Sequence, residues 1–153
     1  MLRVEKISDF EEFRELEPVW NSVLEASGSR SVTLTWEWIS TWWDVFGEGR
    51  RLNVLVAWDE NEVVGIAPLL ERTVHRYGML SFRRLEFLAS GEEESDEICS
   101  ENLDFIVRRG YETEALAAFF EYLHDEEPGW DELILKNLAA GSPNLTYITG
   151  ASS

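Results

Sequence analysis

From Leu2 to Ile7 apolar and polar side chains alternate, which predicts a short strand with one face buried. Ser8 stands three residues before Glu11, the spacing of a capping box. Phe10, Phe13, Leu16, Trp20, Val23 and Leu24 then recur at steps of three or four, the stripe of an amphipathic helix. Pro18 falls inside that stripe and lacks a backbone donor, so the helix is expected to kink or restart there. Ser27-Gly28-Ser29 ends it.

The next helix is bounded by Thr35 as N-cap and Gly47 as C-terminal stop. At about 100° per residue, Glu37, Ser40, Thr41 and Asp44 gather on one side. Trp36, Trp38, Ile39, Trp42, Trp43, Val45 and Phe46 fill the other half of the circumference. A surface helix needs an apolar stripe only slightly wider than about 100°. This helix is therefore expected to touch two things: the sheet on one side, and another layer, domain or ligand on the other. Trp36, Trp38 and Trp42 are its candidate interface or substrate-binding rings, and core packing or an interface fits them better than an aromatic ligand pocket.

Leu52 to Trp58 is an almost unbroken apolar run, as in a strand covered on both faces. Asp59-Glu60-Asn61-Glu62 reads as a four-residue hairpin loop, and Val63 to Leu70 as the returning strand. Pro68 within it implies an edge or a bulge. Leu80 to Leu88 is a further strand, apolar around Arg83 and Arg84, and Gly91 to Glu101 an acidic loop. Strand, helix and strand follow at Asn102 to Val107, Thr113 to His124 and Leu133 to Leu135. Residues 1–138 thus form one domain, and 139–153, rich in Ala, Gly, Ser and Thr, a weakly structured tail.

Composition narrows the classes. Hydrophobic residues make up 44% and charged residues 28%, the balance of a globular domain. No run approaches the roughly 18 consecutive apolar residues of a membrane span. Met1 to Lys6 contain no apolar segment of a signal peptide, so a cytoplasmic location is expected. Thirty acids against thirteen bases give a net charge of -17, which repels phosphate backbones and argues against nucleic-acid binding through a broad basic surface. The acidity fits adaptation to high salt, or simply an acidic surface without a partner. The single cysteine, Cys99, excludes an internal disulfide. With two histidines, His75 and His124, a Ser-His-Asp triad or a metal cluster has few parts to draw on, and no metal is expected. Asp96 and Asp104 are candidates for a base or a substrate contact, or are ordinary loop and strand-edge acids.

The order β-α-α-β-β-β-α-β, together with Leu16-Glu17-Pro18-Val19-Trp20-Asn21-Ser22, Thr35-Trp36-Glu37-Trp38-Ile39-Ser40-Thr41-Trp42-Trp43 and Val63-Val64-Gly65-Ile66-Ala67-Pro68-Leu69, resembles the N-terminal half of GNAT-like acyltransferases. The similarity is to the CelD type named for cellulose biosynthesis, relatives of the FemAB aminoacyltransferases. Leu52 to Ala57, Leu85-Glu86-Phe87-Leu88, Ser95-Asp96 and Asp104 extend it, so that it runs from Phe10 to Leu138. The resemblance implies an α/β (α+β) fold: a mixed, mostly antiparallel sheet with flanking helices, incomplete at its C-terminus. It also implies acetyl-CoA or another acyl-CoA as donor to an amine, and a second GNAT-like half or partner chain that carries most of the chemistry. In such enzymes a glycine-rich turn between strand and helix holds the cofactor pyrophosphate on backbone amides. The matching stretch is Val107-Arg108-Arg109-Gly110-Tyr111-Glu112-Thr113. Arg108, Arg109 and Gly110 suit a phosphate, whereas a second glycine is absent and Glu112 and Glu114 would face the anion. The chain alone is therefore expected to bind no acyl-CoA and to be inactive without its second half. A non-catalytic protein- or glycan-binding module, or a homodimer formed through the tryptophan helix, is the alternative.

Overall fold

The computed structural model describes residues 1–29, 31–92, 100–127 and 129–151. In chain order the elements are β1 (Arg3–Ile7), α1 (Phe10–Arg14), α2 (Glu17–Glu25), a 3-10 turn (Val32–Leu34), α3 (Trp36–Phe46), β2 (Arg51–Leu52), β3 (Val54–Asp59) and β4 (Glu62–Ala67). β5 (Leu69–Arg76), β6 (Leu80–Phe87), β7 (Ile106–Val107), α4 (Glu112–Asp125), β8 (Glu132–Ile134) and α5 (Leu145–Ala151) complete it. No helix among the described residues is long and apolar enough to cross a membrane.

The strands form two four-stranded sheets, β1-β3-β4-β7 and β2-β5-β6-β8. Every pairing between these strands is antiparallel except β6 with β8. Pro68 marks the seam. It alone separates β4 from β5, and having no N–H it cannot donate to a ladder. β6 opposes β5 as far as Leu69↔Phe87, and Leu88 N–H still reaches the Pro68 carbonyl at 2.8 Å. The chain then leaves, and returns as β7 opposite Ile66 and Gly65. The two sheets are thus successive parts of one bent ladder, interrupted at Pro68. This is the mixed, mostly antiparallel sheet with flanking helices expected from the sequence.

Local chemistry accounts for most boundaries. Pro18 sits in the first turn of α2, where a missing N–H costs nothing, so the helix restarts there. Asp9, not Ser8, caps α1, its carboxylate accepting the Glu11 N–H at 2.7 Å. Thr35 Oγ1 accepts the Trp38 N–H at 3.3 Å, and Gly47 ends α3. A Cβ at Gly47 would lie 2.8 Å from the Trp43 indole, so the stop also clears room for that ring.

Five readings change. The returning strand read over Val63 to Leu70 is two strands, β4 and β5, in different sheets on either side of Pro68. The apolar run 52–58 is two strands in different sheets, divided at Asn53. The hairpin loop holds two residues rather than four, with Asp59 already paired to Glu62 and Glu60 in a left-handed conformation at φ 55. The strand expected over 102–107 shrinks to Ile106–Val107, Leu103 making only a single bridge to Leu138. The stretch read as a weakly structured tail carries α5, which docks on α4 by stacking Tyr147 on Phe120 with centroids 5.9 Å apart.

The core has two centres. Phe13, Trp20 and Trp36 meet at centroid distances of 4.7 to 5.8 Å and join α1, α2 and α3. Phe105 lies between Phe87 and Phe119, bringing α4 onto the sheet. Gly65 permits the close approach, since a Cβ there would stand 3.3 Å from Phe119 Cζ. The Arg83-Arg84 interruption of β6 serves ion pairs on both faces of the second sheet, Arg83 with Glu71 on one and Arg84 with Glu86 on the other. Glu86 is wholly buried between Arg72 and Arg84, and Arg84 Nε also reaches Glu132 at 2.7 Å.

Candidate functional site

The turn from β7 to α4 is held on both sides. Arg108 N–H donates to the Val64 carbonyl and Arg109 N–H to the Ala26 carbonyl, each at 2.9 Å. The Arg108 guanidinium reaches Glu62 at 2.6 Å, and Tyr111 Oη donates to Asp59 at 2.7 Å. Accepting that bond, Asp59 raises the Tyr111 pKa above the ordinary phenol value, helped by its charge. The tip of the β3–β4 hairpin is thereby locked to the turn. Arg109 and Gly110 are exposed, and Gly110 adopts φ +94 with open space beside its Cα.

The Gly110 amide, however, is engaged. It donates to Glu112 Oε2 at 2.8 Å, and Glu112 and Glu114 occupy the first turn of α4. A helix N-terminus attracts an anion, and here that anion is the chain's own carboxylate. A pyrophosphate in the turn would meet two negative charges and a spent donor. The residues of this turn do not fit a pyrophosphate.

Asp104 is fully buried and saturated with donors. Ser29 Oγ donates to Oδ2 at 2.9 Å, while Asn144 Nδ2 at 3.1 Å and the Phe105 amide at 2.8 Å donate to Oδ1. Burial raises its pKa above the usual carboxylate range against the opposing effect of these bonds and of Ser142. The arrangement is a clamp. It ties the loop after α2 and the start of α5 to the strand line between them, and only through Ser29 and Ser142 does it border a cleft of about 260 Å³. Asp96 lies outside the described residues.

The tryptophans divide. Trp36 is in the aromatic core at 7% exposure. Trp42 is 2% exposed within the chain itself, its Nε1–H on Glu92 at 3.2 Å and Arg50 over its ring. Trp38 is half-buried and donates to Ser100 Oγ at 3.0 Å. The second layer that the wide apolar arc of α3 requires is thus supplied in part by residues on either side of 93–99. The remaining apolar surface is a groove of about 320 Å³, in which Val32 and Val45 stand exposed beside Trp38. Among the described residues no group of His, Cys, Asp and Glu is arranged to hold a metal, and His124 simply contacts Asp125 at the end of α4.

No protein-family model matches the chain, and no curated protein matches it. Among solved structures it is similar to an aminoglycoside acetyltransferase from an uncultured soil metagenomic sample, at 15% identity and a TM-score of 0.53 over 100% of this chain and 91% of that one. A ribosomal-protein-alanine N-acetyltransferase from Brucella melitensis biovar Abortus 2308 aligns at 11% identity and a TM-score of 0.49, over 96% of this chain and 87% of that one. Glucosamine-6-phosphate N-acetyltransferase from Arabidopsis thaliana gives 10% identity and a TM-score of 0.45, over 100% and 91%. The first of these carries the conclusion about architecture: the fold is GNAT-like.

Proposed function

We propose that this chain is the GNAT-like module of an N-acyltransferase whose acyl-CoA is held not in its own β7–α4 turn but by a second GNAT-like half or a partner chain, as in the CelD and FemAB relatives it resembles. One observation carries this reading: Glu112 occupies the Gly110 amide where a cofactor phosphate would otherwise sit. The GNAT-like fold supports acyl transfer from an acyl-CoA to an amine as the chemistry of the assembled enzyme. A non-catalytic protein- or glycan-binding module is the second reading, favoured by the exposed groove of α3.

Calorimetric titration of acetyl-CoA into the chain, paired with a thiol-release assay over a panel of amines, tests the proposal. No saturable binding and no turnover above background are expected. Micromolar binding that Arg109→Glu abolishes, with turnover, would overturn it.

A further inference from the structure

Large apolar side chains stay exposed at few places among the described residues. Apart from Met1 and Phe10, they are Val32 and Val45 beside the α3 groove, and Tyr77, Met79 and Leu80 at the tip of the β5–β6 hairpin. One place is concave and the other protrudes. We propose that the hairpin tip of one copy docks in the α3 groove of a second copy, a head-to-tail contact between unlike surfaces.

The hairpin holds its end away from the core. β5 and β6 are buried where Leu69 pairs with Phe87, and exposed from His75 and Arg76 across to Leu80 and Ser81. Beyond Thr73↔Arg83 the two strands pair only with each other. Tyr77 and Gly78, at φ 57 and φ 75, are consecutive left-handed positions of the kind tight hairpin turns use. Tyr77 and Met79 are left 87% and 93% exposed. Tyrosine and methionine are residues that interfaces enrich. The groove is the counterpart, a space of about 320 Å³ that Val32, Trp38 and Val45 help to line. Docking removes apolar surface from water on both sides.

Charge favours the same pairing. At a net charge of -17 the chain as a whole repels its copies. Residues 72–85, by contrast, contain four arginines and no Asp or Glu. Among the described residues, Glu86 and Glu132 are the only two carboxylates that answer Arg72, Arg76 and Arg84. Arg76, next to the tip, is 43% exposed, and it reaches at 3.4 Å the Glu132 oxygen that Arg84 already holds at 2.7 Å. On the other side, α3 carries Glu37 in the groove lining and Asp44 two turns on, neither of them ion-paired among the described residues. An acid-free protrusion thus meets an acidic helix.

Each copy keeps one tip and one groove open after a single contact, so association can continue past the dimer. A tip of three side chains falls short of the roughly 1,000 Å² of a stable interface, so the contact is weak and concentration-dependent. The proposal deepens the binding-module reading of the groove by naming the partner as a second copy, and it is independent of acyl transfer.

Sedimentation equilibrium of the full chain up to about 1 mM tests it, at about 0.15 M salt to screen the net repulsion. The native chain is expected to gain mass with concentration. Tyr77→Asn with Met79→Ser removes the tip and keeps at 77 a residue that tolerates positive φ. Val32→Ser with Val45→Ser removes the flanks of the groove. All four positions are exposed, so both variants keep the fold. Each variant alone is expected to associate at least about tenfold more weakly. An equimolar mixture of the two is expected to pair and to stop at the dimer, since one intact tip meets one intact groove. A native chain that stays monomeric, or a mixture that does, would overturn the proposal. So would a groove variant that associates like the native chain. If instead the groove variant alone loses association and the tip variant keeps it, the binding-module reading stands and the hairpin is not the occupant.

Discussion

Glu112 Oε2 accepts the Gly110 amide proton at 2.8 Å, so the first turn of α4 carries its own anion. The bond serves the fold. Tyr111, the residue before the helix, offers no side-chain cap, and the Glu112 carboxylate lies where the helix dipole favours negative charge.

Glu112→Ala should therefore have two effects. Loss of the charge and its bond is expected to destabilise the chain by about 0.5–1 kcal/mol, read by urea denaturation. The released amide is expected to add stabilisation by inorganic pyrophosphate beyond that of the unsubstituted chain, read as a thermal shift. An identical pyrophosphate response in both proteins would show that Glu112 is not what closes the turn.

What the sequence disclosed depends on how local the cause is. Thr35 and Gly47 bound α3 through contacts within one turn, and Pro18 resets α2 through its own missing donor, so these were readable. The split at Asn53 was not, because the same apolar run serves two sheets whose separation is set by Pro68 and by pairing with distant strands. Asp104 read as a base or substrate contact or as an ordinary strand-edge acid, since its partners Ser29 and Asn144 lie 75 and 40 residues away. The breadth of the apolar arc on α3 was legible, yet the cover over Trp42 comes from Glu92, fifty residues on.

The Asp104 clamp has a pH signature. Its folded-state pKa is raised by burial, so its contribution to stability is fully present below the unfolded value of about 3.9 and is lost as pH rises through the folded value. Asp104→Asn does not titrate. Its stability relative to the native chain should therefore climb with pH across that window and level off above it. Asp104→Ala leaves three buried donors without an acceptor and should cost on the order of 3 kcal/mol at neutral pH. A variant-minus-native difference that stays flat from about pH 3 to pH 7 would mean that Asp104 is not held above its ordinary range.

The groove on α3 separates packing from association. Trp42 is sealed inside the chain, so Trp42→Ser should act as a cavity and cost about 3–5 kcal/mol without a specific effect on assembly. Val32 and Val45 are 67% and 64% exposed, and Val32→Ser with Val45→Ser should change stability by less than about 0.5 kcal/mol each. If the groove receives a second half, a partner chain or another copy, this pair is where the contact fails. Light scattering of the isolated chain is expected to show self-association that the double substitution reduces, because exposed valines flanking Trp38 form a patch that a second surface can bury. A monomer at every concentration, unchanged by the double substitution and by Trp38→Ser, would leave the groove as ordinary surface and remove the structural basis for docking there.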